Sequence, residues 1–181
     1  VEGALDPVPE AAYVRNAYAA NYLSQIGRHD EALEHATWAL QMQRRYDPSA
    51  RIVNTMSVVA ALLEVTGEPE RSREMWRELR TTGIVGGYGG YVEPLADQAE
   101  GWLSLALGEL EEAAACAARC EQARSRPGAH AHAVHGLYLL QAGLALARGD
   151  SAGARHHAEL VIGQMAGDSC HNGSVNAAAL I

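Results

Sequence analysis

The chain of 181 residues contains no lysine and no phenylalanine, and all 14 of its basic residues are arginines. Its 22 acidic residues outnumber them and give a formal net charge of −8 at pH 7. Nucleic acids and anionic membranes are bound through cationic surfaces, so this charge argues against both as partners. No apolar run approaches the length of a membrane span, and no signal peptide is visible. We therefore expect no nucleic-acid partner and no membrane association.

Cysteines and catalytic motifs are equally sparse. Three cysteines, an odd number in a chain of this size, do not form a disulfide framework, which favours a reducing, cytoplasmic location. The sequence contains no nucleophile elbow and no His-Glu-x-x-His motif. Its Gly-Gly-Tyr-Gly-Gly stretch lacks the lysine of a phosphate-binding loop. We expect a protein that is not an enzyme and that binds no cofactor.

Four glycines divide the chain into segments of nearly equal length. Gly27, Gly67, Gly108 and Gly149 follow one another at intervals of 40, 41 and 41 residues. A self-similar period of this size is typical of arrays of helical pairs. In such a pair, small side chains near the turn allow two antiparallel helices to approach closely, and larger apolar residues fill the next layer.

Residues at fixed offsets from these glycines follow that scheme. Those seven before and five after each glycine are all small: Ala20, Ala60, Gly101, Ala142, Ala32, Ser72, Ala113 and Ala154. Those five before each glycine are large and are expected in the core: Tyr22, Leu62, Leu103 and Leu144. On the first helix, Tyr13 and Tyr18 are also expected to be mostly buried.

The clearest unit is Leu23–Leu40, LSQIGRHDEALEHATWAL, in which a turn glycine is followed by Asp-Glu-Ala-Leu. It resembles the tetratricopeptide repeat (TPR) family, and the resemblance covers nearly the whole chain in four units. The period exceeds the standard length of about 34 residues and is similar to that of sensor and interaction regions in large bacterial transcription regulators of the MalT-like type. The resemblance implies an all-α, right-handed superhelical solenoid of about four antiparallel helix-turn-helix repeats plus the start of a fifth helix.

The expected organisation is a single TPR-like domain over residues 1–181. Its repeats would occupy residues 9–46, 48–82, 91–125 and 129–166, followed by a terminal helix at 174–181. The stretch Gly83–Tyr91 breaks the rhythm with five glycines in nine residues, which predicts a long flexible connection. Because Val1 is not a methionine and the fifth unit is only begun, we expect a fragment of a larger protein.

The resemblance also implies a function, since the first helices of such repeats line a concave groove. Amide side chains there both donate and accept hydrogen bonds to an extended peptide, and a tryptophan supplies an apolar anchor. The groove candidates are Asn21, Gln25, Asn54, Ser57, Glu64, Gln98 and Trp102. The first hypothesis is therefore a protein- or peptide-binding scaffold, the sensor or interaction segment of a cytoplasmic bacterial regulator.

Two other functions stay open. The chain would be a small-molecule sensor if a ligand lies beside the Gly83–Tyr91 loop, with Tyr88, Tyr91 and Trp102 as its walls. It would be a self-assembly module, forming a homo-oligomer, if the alanine-rich helix at 174–181 docks against a neighbouring copy.

One metal site is geometrically conceivable. Cys116 and Cys120 lie four residues apart on one helix, and His132 and His135 begin the next, which together would make four zinc ligands. This spacing matches none of the compact zinc motifs. Cys120 also falls on a core position of the repeat, where buried cysteine commonly serves as a small hydrophobic residue. We expect no bound metal.

Overall fold

The structure, a computed structural model, describes residues 9–46, 52–124 and 131–165. Over these ranges the chain is all-α and contains no strand, as the sequence predicts. The helices are α1 (Pro9–Tyr18), α2 (His29–Tyr46), α3 (Ile52–Val65), α4 (Pro69–Val85), α5 (Gly89–Ala106), α6 (Leu110–Arg124), α7 (Ala131–Ala147) and α8 (Ser151–Met165), and α1 continues as a π-helical turn over Ala19–Leu23. The predicted terminal helix at 174–181 lies outside the described residues.

The chain divides into two compact units, Val1–Gly89 and Gly90–Ile181. In the first unit, α2 contacts both α1 and α3, and α3 contacts α4. In the second, α7 contacts both α6 and α8. Consecutive helices that contact each other across a short turn form antiparallel hairpins. In the part of the chain described here, no helix combines the length and the apolar character needed to cross a membrane.

Five of the turns between consecutive helices share one backbone geometry, set by a glycine with positive φ. The values are 78° at Gly27, 84° at Gly67, 81° at Gly87, 77° at Gly108 and 78° at Gly149. In each turn the N–H of the following residue donates to the carbonyl five positions back, at 2.8–2.9 Å. This is the Schellman motif, which satisfies the last carbonyls of a helix and favours glycine because only glycine adopts positive φ without strain. The four evenly spaced glycines are therefore helix C-terminal turns.

The prediction of a long connection over Gly83–Tyr91 is wrong. The helix before it continues to Val85 instead of ending near Thr82, and the next begins at Gly89 instead of Tyr91. Only three residues, 86–88, lie between the two helices. Gly87 makes the same turn as the other four glycines, with the Tyr88 N–H bonded to the Gly83 carbonyl at 2.8 Å. A helical glycine costs roughly 1 kcal/mol relative to alanine, which does not prevent α4 from continuing through the buried Gly83.

Small residues lie where the repeat predicts them. All four positions five after the repeat glycines are buried, and so are Ala60, Gly101 and Ala142 seven before them. The Ser72 hydroxyl of α4 donates to the Ala60 carbonyl of α3 at 2.8 Å, which shows that the two positions meet across a hairpin. This contact also satisfies the one polar side chain in the layer. The side chain of Ala20, the fourth small residue before a glycine, lies outside the described residues.

The bulky layer differs at the first helix. Leu62, Leu103 and Leu144 are buried as predicted, but Tyr22 and Tyr18 are exposed and Tyr13 is only partly buried. The placement of Tyr18 and Tyr22 in the core is therefore wrong. Leu144, the equivalent residue of α7, packs on α6, the helix that precedes α7. Among the described residues, no helix precedes α1 in its unit.

Candidate interaction surface

An exposed apolar row runs along the first helix of the first unit and into the turn that follows it. Val14, Tyr18, Tyr22 and Ile26 follow one another at steps of four, and 68%, 42%, 51% and 51% of their respective surfaces are exposed. Single exposed apolar residues are ordinary on protein surfaces, but contiguous ones mark interaction sites. We call these four residues the α1 row.

The π-helical turn keeps the α1 row on one face. In an α-helix of 3.6 residues per turn, each step of four overshoots a full turn by roughly 40°. The turn over Ala19–Leu23 is wider, with the Ser24 N–H bonded to the Ala19 carbonyl five residues back at 3.1 Å. Because a step of four across a π-helical turn falls short of a full turn, it offsets this drift. Tyr18 and Tyr22 consequently stack, with ring centroids 5.2 Å apart and planes 17° from parallel.

Side chains of α2 extend the surface beside this row. The His35 ring meets Tyr18 edge-on at 5.7 Å between centroids. The guanidinium of Arg15 lies over the Trp38 ring at 4.2 Å, a cation–π contact. The aromatic rings and the arginine form one continuous area across α1 and α2, which suits contact with an apolar or aromatic partner.

A depression of about 580 Å³ adjoins this area on the α2 side. It is lined by Arg15, Asp30, Leu33, Glu34, His35, Thr37, Trp38, Gln41 and Arg71. Its walls carry both charge signs as well as an indole ring, so it offers polar and apolar contacts side by side. Arg15 and His35 both line the depression, and the His35 ring connects it to the α1 row through its contact with Tyr18.

The groove residues predicted in the first unit have mixed environments. Gln25 and Asn54 are exposed, as a binding role requires. Ser57 is partly buried, and its hydroxyl donates to the Asn54 carbonyl at 2.8 Å within α3. Glu64 is also partly buried, and desolvation raises the pKa of its carboxyl. The side chain of Asn21 lies outside the described residues.

In the second unit, Gln98 and Trp102 contact α7. An ideal Cβ on Gly136 would lie 1.4 Å from the Gln98 Nε2, so the amide rests directly over the glycine. The Trp102 Cζ3 would similarly lie 3.0 Å from a Cβ on Gly143, and the indole also packs against buried residues of α6 and α7. Both side chains are partly buried by this packing, which leaves only part of each exposed.

The two tyrosines proposed as walls of a ligand loop lie at the short turn between α4 and α5. Tyr88 is the last residue of this turn, and Tyr91 belongs to the first turn of α5. Both are exposed. The connection beside which the sensor hypothesis places its ligand has three residues instead of nine.

The two cysteines of the conceivable zinc site belong to the core of the second unit. Cys116 and Cys120 pack with Ala113, Ala117 and three leucines of α7. Burial raises the pKa of the Cys116 thiol to about 11, although the nearby Arg119 guanidinium acts in the opposite direction. The side chains of His132 and His135 lie outside the described residues. No group of three or more possible metal ligands occurs among the side chains that are described.

Sequence reasoning missed the α1 row because its tyrosines occupy core offsets of the repeat. The signal available in the sequence was the aromatic ring of Tyr18 and Tyr22, since the positions nine and five before the other three repeat glycines hold aliphatic or smaller residues. No family model matches the chain, and no curated protein matches it.

Proposed function

We propose that this chain is a protein-binding scaffold built of tetratricopeptide-like helical pairs, and that the α1 row is its partner-binding surface. The observation that carries the proposal is the exposure of four large apolar side chains at steps of four along α1, its π-helical turn and the turn that follows. Transfer of such surface from water into an interface is favourable, and tyrosine in particular combines a large apolar area with a polar hydroxyl. Adjacent Arg15 and His35 supply polar groups for the rim.

The repeat pattern supports the wider architecture that we propose. Schellman turns at the four glycines and buried small residues at fixed offsets are what an array of equivalent helical pairs requires. Such pairs stack into a right-handed solenoid in the family that the sequence resembles. In this proposal the chain serves as the interaction segment of a larger bacterial regulatory protein and performs no catalysis.

The test is selection of peptides from a displayed random library on the purified chain, followed by fluorescence anisotropy of the enriched peptides. Substitution of both tyrosines of the row, Tyr18→Ala with Tyr22→Ala, should weaken binding at least tenfold. Leu107→Ala removes a similarly exposed apolar side chain from the second unit and should leave binding unchanged.

A second pair of substitutions, Gln25→Ala with Asn54→Ala, distinguishes the α1 row from the predicted groove. If only this pair weakens binding, the partner lies along the groove amides and our assignment of the surface is wrong. If the library yields no peptide that binds the chain, the scaffold function itself is contradicted. Circular dichroism on every variant confirms that it retains its helices.

A further inference from the structure

We infer that a depression between α6, α7 and α8 binds a cation carried on an aliphatic stem, namely a primary ammonium or a guanidinium group. The depression has a volume of about 420 Å³, and ligand pockets in proteins commonly measure roughly 300–1,000 Å³. Its walls come from three consecutive helices and from the turn between α7 and α8. It belongs wholly to the second unit, so this ligand is independent of the protein partner proposed for the α1 row.

Two alanines of α6 leave the space open. Ala114 and Ala118 lie six and ten residues after Gly108, and both line the depression. The second helices of the other pairs carry longer side chains at the same offsets, with Leu33, Arg73 and Arg155 at the first and Thr37, Arg77 and Glu159 at the second. Because alanine ends at Cβ, the floor of the depression is short and apolar. A hydrocarbon stem that lies on it leaves water, which is favourable.

Two residues of the lining, Gln141 of α7 and His157 of α8, each bring a buried polar atom. Within the described residues, neither the Gln141 Oε1 nor the His157 Nδ1 has a hydrogen-bond partner. A buried polar atom without a partner is unfavourable, and a ligand group that pairs with it removes that cost. Because an amide oxygen only accepts hydrogen bonds, the matching ligand carries a donor.

The imidazole of His157 is held by packing and is mainly neutral at pH 7. It stacks on the Tyr138 ring, with centroids 6.4 Å apart and planes 22° from parallel. Burial lowers the pKa of His157 below its ordinary value, with His156 acting in the same direction and Asp150 in the opposite one. The neutral ring has one acceptor nitrogen and does not repel a cation.

Charge around the depression favours a cation over an anion. It is lined by two carboxylates, Glu121 and Asp150, and by the exposed guanidinium of Arg148, which can extend into solvent. Glu121 also pairs with Arg124, so Asp150 is the carboxylate that we expect to contact the ligand. Its Oδ1 accepts from the Gly153 N–H at 2.9 Å, which fixes the carboxylate at the start of α8. The net charge of −8 on the whole chain attracts cations as well.

The experiment titrates the whole chain with three ligands that share one stem: pentylammonium, pentan-1-ol and pentanoate. Binding is followed through the NMR chemical shifts of backbone amides. We expect saturable shifts around the depression with pentylammonium, at least tenfold weaker binding of the alcohol, and no binding of pentanoate. The inference is overturned if pentylammonium gives no saturable shifts, or if the alcohol or pentanoate binds as tightly.

Variants of the chain test the site itself. Ala114→Leu with Ala118→Thr introduces the side chains that α2 has at the same offsets, and should abolish binding by filling the depression. Asp150→Asn keeps a side-chain cap for α8 but removes the charge, and should weaken binding at least tenfold. Its matched control, Glu159→Gln, removes an exposed charge of α8 outside the lining and should have no effect. If the filled variant, with its helices retained by circular dichroism, still binds pentylammonium normally, the ligand lies elsewhere and the site is wrong.

One further ligand distinguishes the source of the cation. N-acetyl-lysinamide carries its ammonium on a main chain, as a bound protein would, whereas pentylammonium is a free amine. Similar affinities would assign the site to a lysine or arginine side chain of a partner, and a loss of more than tenfold for the capped lysine would assign it to a free amine. Either result supports a cation site. The chain with Tyr18→Ala and Tyr22→Ala should bind pentylammonium normally, because the α1 row belongs to the other unit.

Discussion

Arg119 of α6 donates from its Nε to the Asp97 Oδ1 of α5 at 2.7 Å, and this contact ties together the first two helices of the second unit. The carboxylate is almost fully buried, and the guanidinium is partly exposed. Its Nη2 also lies 3.3 Å from the Glu112 carboxylate and 3.0 Å from the Cys116 sulfur. The hydrogen bond to Asp97 is the main reason that the pKa of Arg119 is raised above its ordinary value.

Substitution of Asp97→Asn should destabilise the chain by about 1–2 kcal/mol in urea unfolding, because it removes a charge-assisted hydrogen bond at a buried position. Glu121→Gln provides the matched control on α6, since Glu121 forms an exposed ion pair with Arg124 three residues away. That change should stay within about 0.5 kcal/mol. Equal effects of the two substitutions would show that burial of Asp97 adds nothing to its ion pair.

The turn between α4 and α5 predicts opposite effects for two neighbouring glycines. Gly87→Ala should cost roughly 1–2 kcal/mol, since φ is 81° and an alanine there is strained even in open space. Gly90→Ala lies in the first turn of α5 with no atom within 4 Å of its Cβ and no positive φ. It should be neutral or stabilise the helix by up to about 1 kcal/mol. Thermal unfolding of both variants measures this, and a harmless Gly87→Ala would exclude the Schellman turn.

Packing of α5 against α7 depends on Gly136. Gly136→Ala should destabilise the chain by roughly 1–3 kcal/mol, because its Cβ would occupy the position of the Gln98 amide. In a Gln98→Ala background most of this cost should disappear, which a double-mutant cycle in urea would show as a coupling energy. Gly163→Ala on α8, with no atom within 4 Å, is the control and should not destabilise. Additive effects at positions 98 and 136 would contradict the contact.

Stability should also depend on the ionisation of Glu64. Burial raises the pKa of this carboxyl in the folded chain, so folding favours the protonated form. As the pH rises from the unfolded pKa of Glu64 to its folded pKa, the cost of ionising the buried carboxyl therefore lowers the free energy of unfolding. Glu64→Gln should therefore stabilise the chain at pH 7. The difference should vanish near roughly pH 3, where the carboxyl is protonated in both states. A difference that persists at low pH would point to a packing effect instead.

Thiol reactivity tests the packing of α6. In a chain with Cys170→Ser, neither remaining thiol should react with a maleimide at pH 8 while the protein is folded, since both are buried and the pKa of Cys116 is about 11. Both should react at once in guanidinium chloride. Rapid labelling of the folded chain would show that the core of the second unit opens readily.

The glycine turns and the buried small residues could be predicted from sequence because their signals are local. A glycine that ends a helix and a small residue five positions later depend only on neighbouring backbone and on one facing helix. The prediction failed at Gly83–Tyr91 because glycine content was treated as decisive. The helix there continues through a buried glycine, and only Gly87 needs the left-handed conformation.

The sequence by itself determined the helical class, the positions of four turns and the small residues that are buried beside them. Tertiary structure alone decided which of the equivalent positions are covered. Tyr22 and Leu144 share an offset, yet one is exposed and the other buried, because burial requires an opposing helix. Whether a neighbour packs on a given face is a property of the folded chain, and no residue type or spacing encodes it locally.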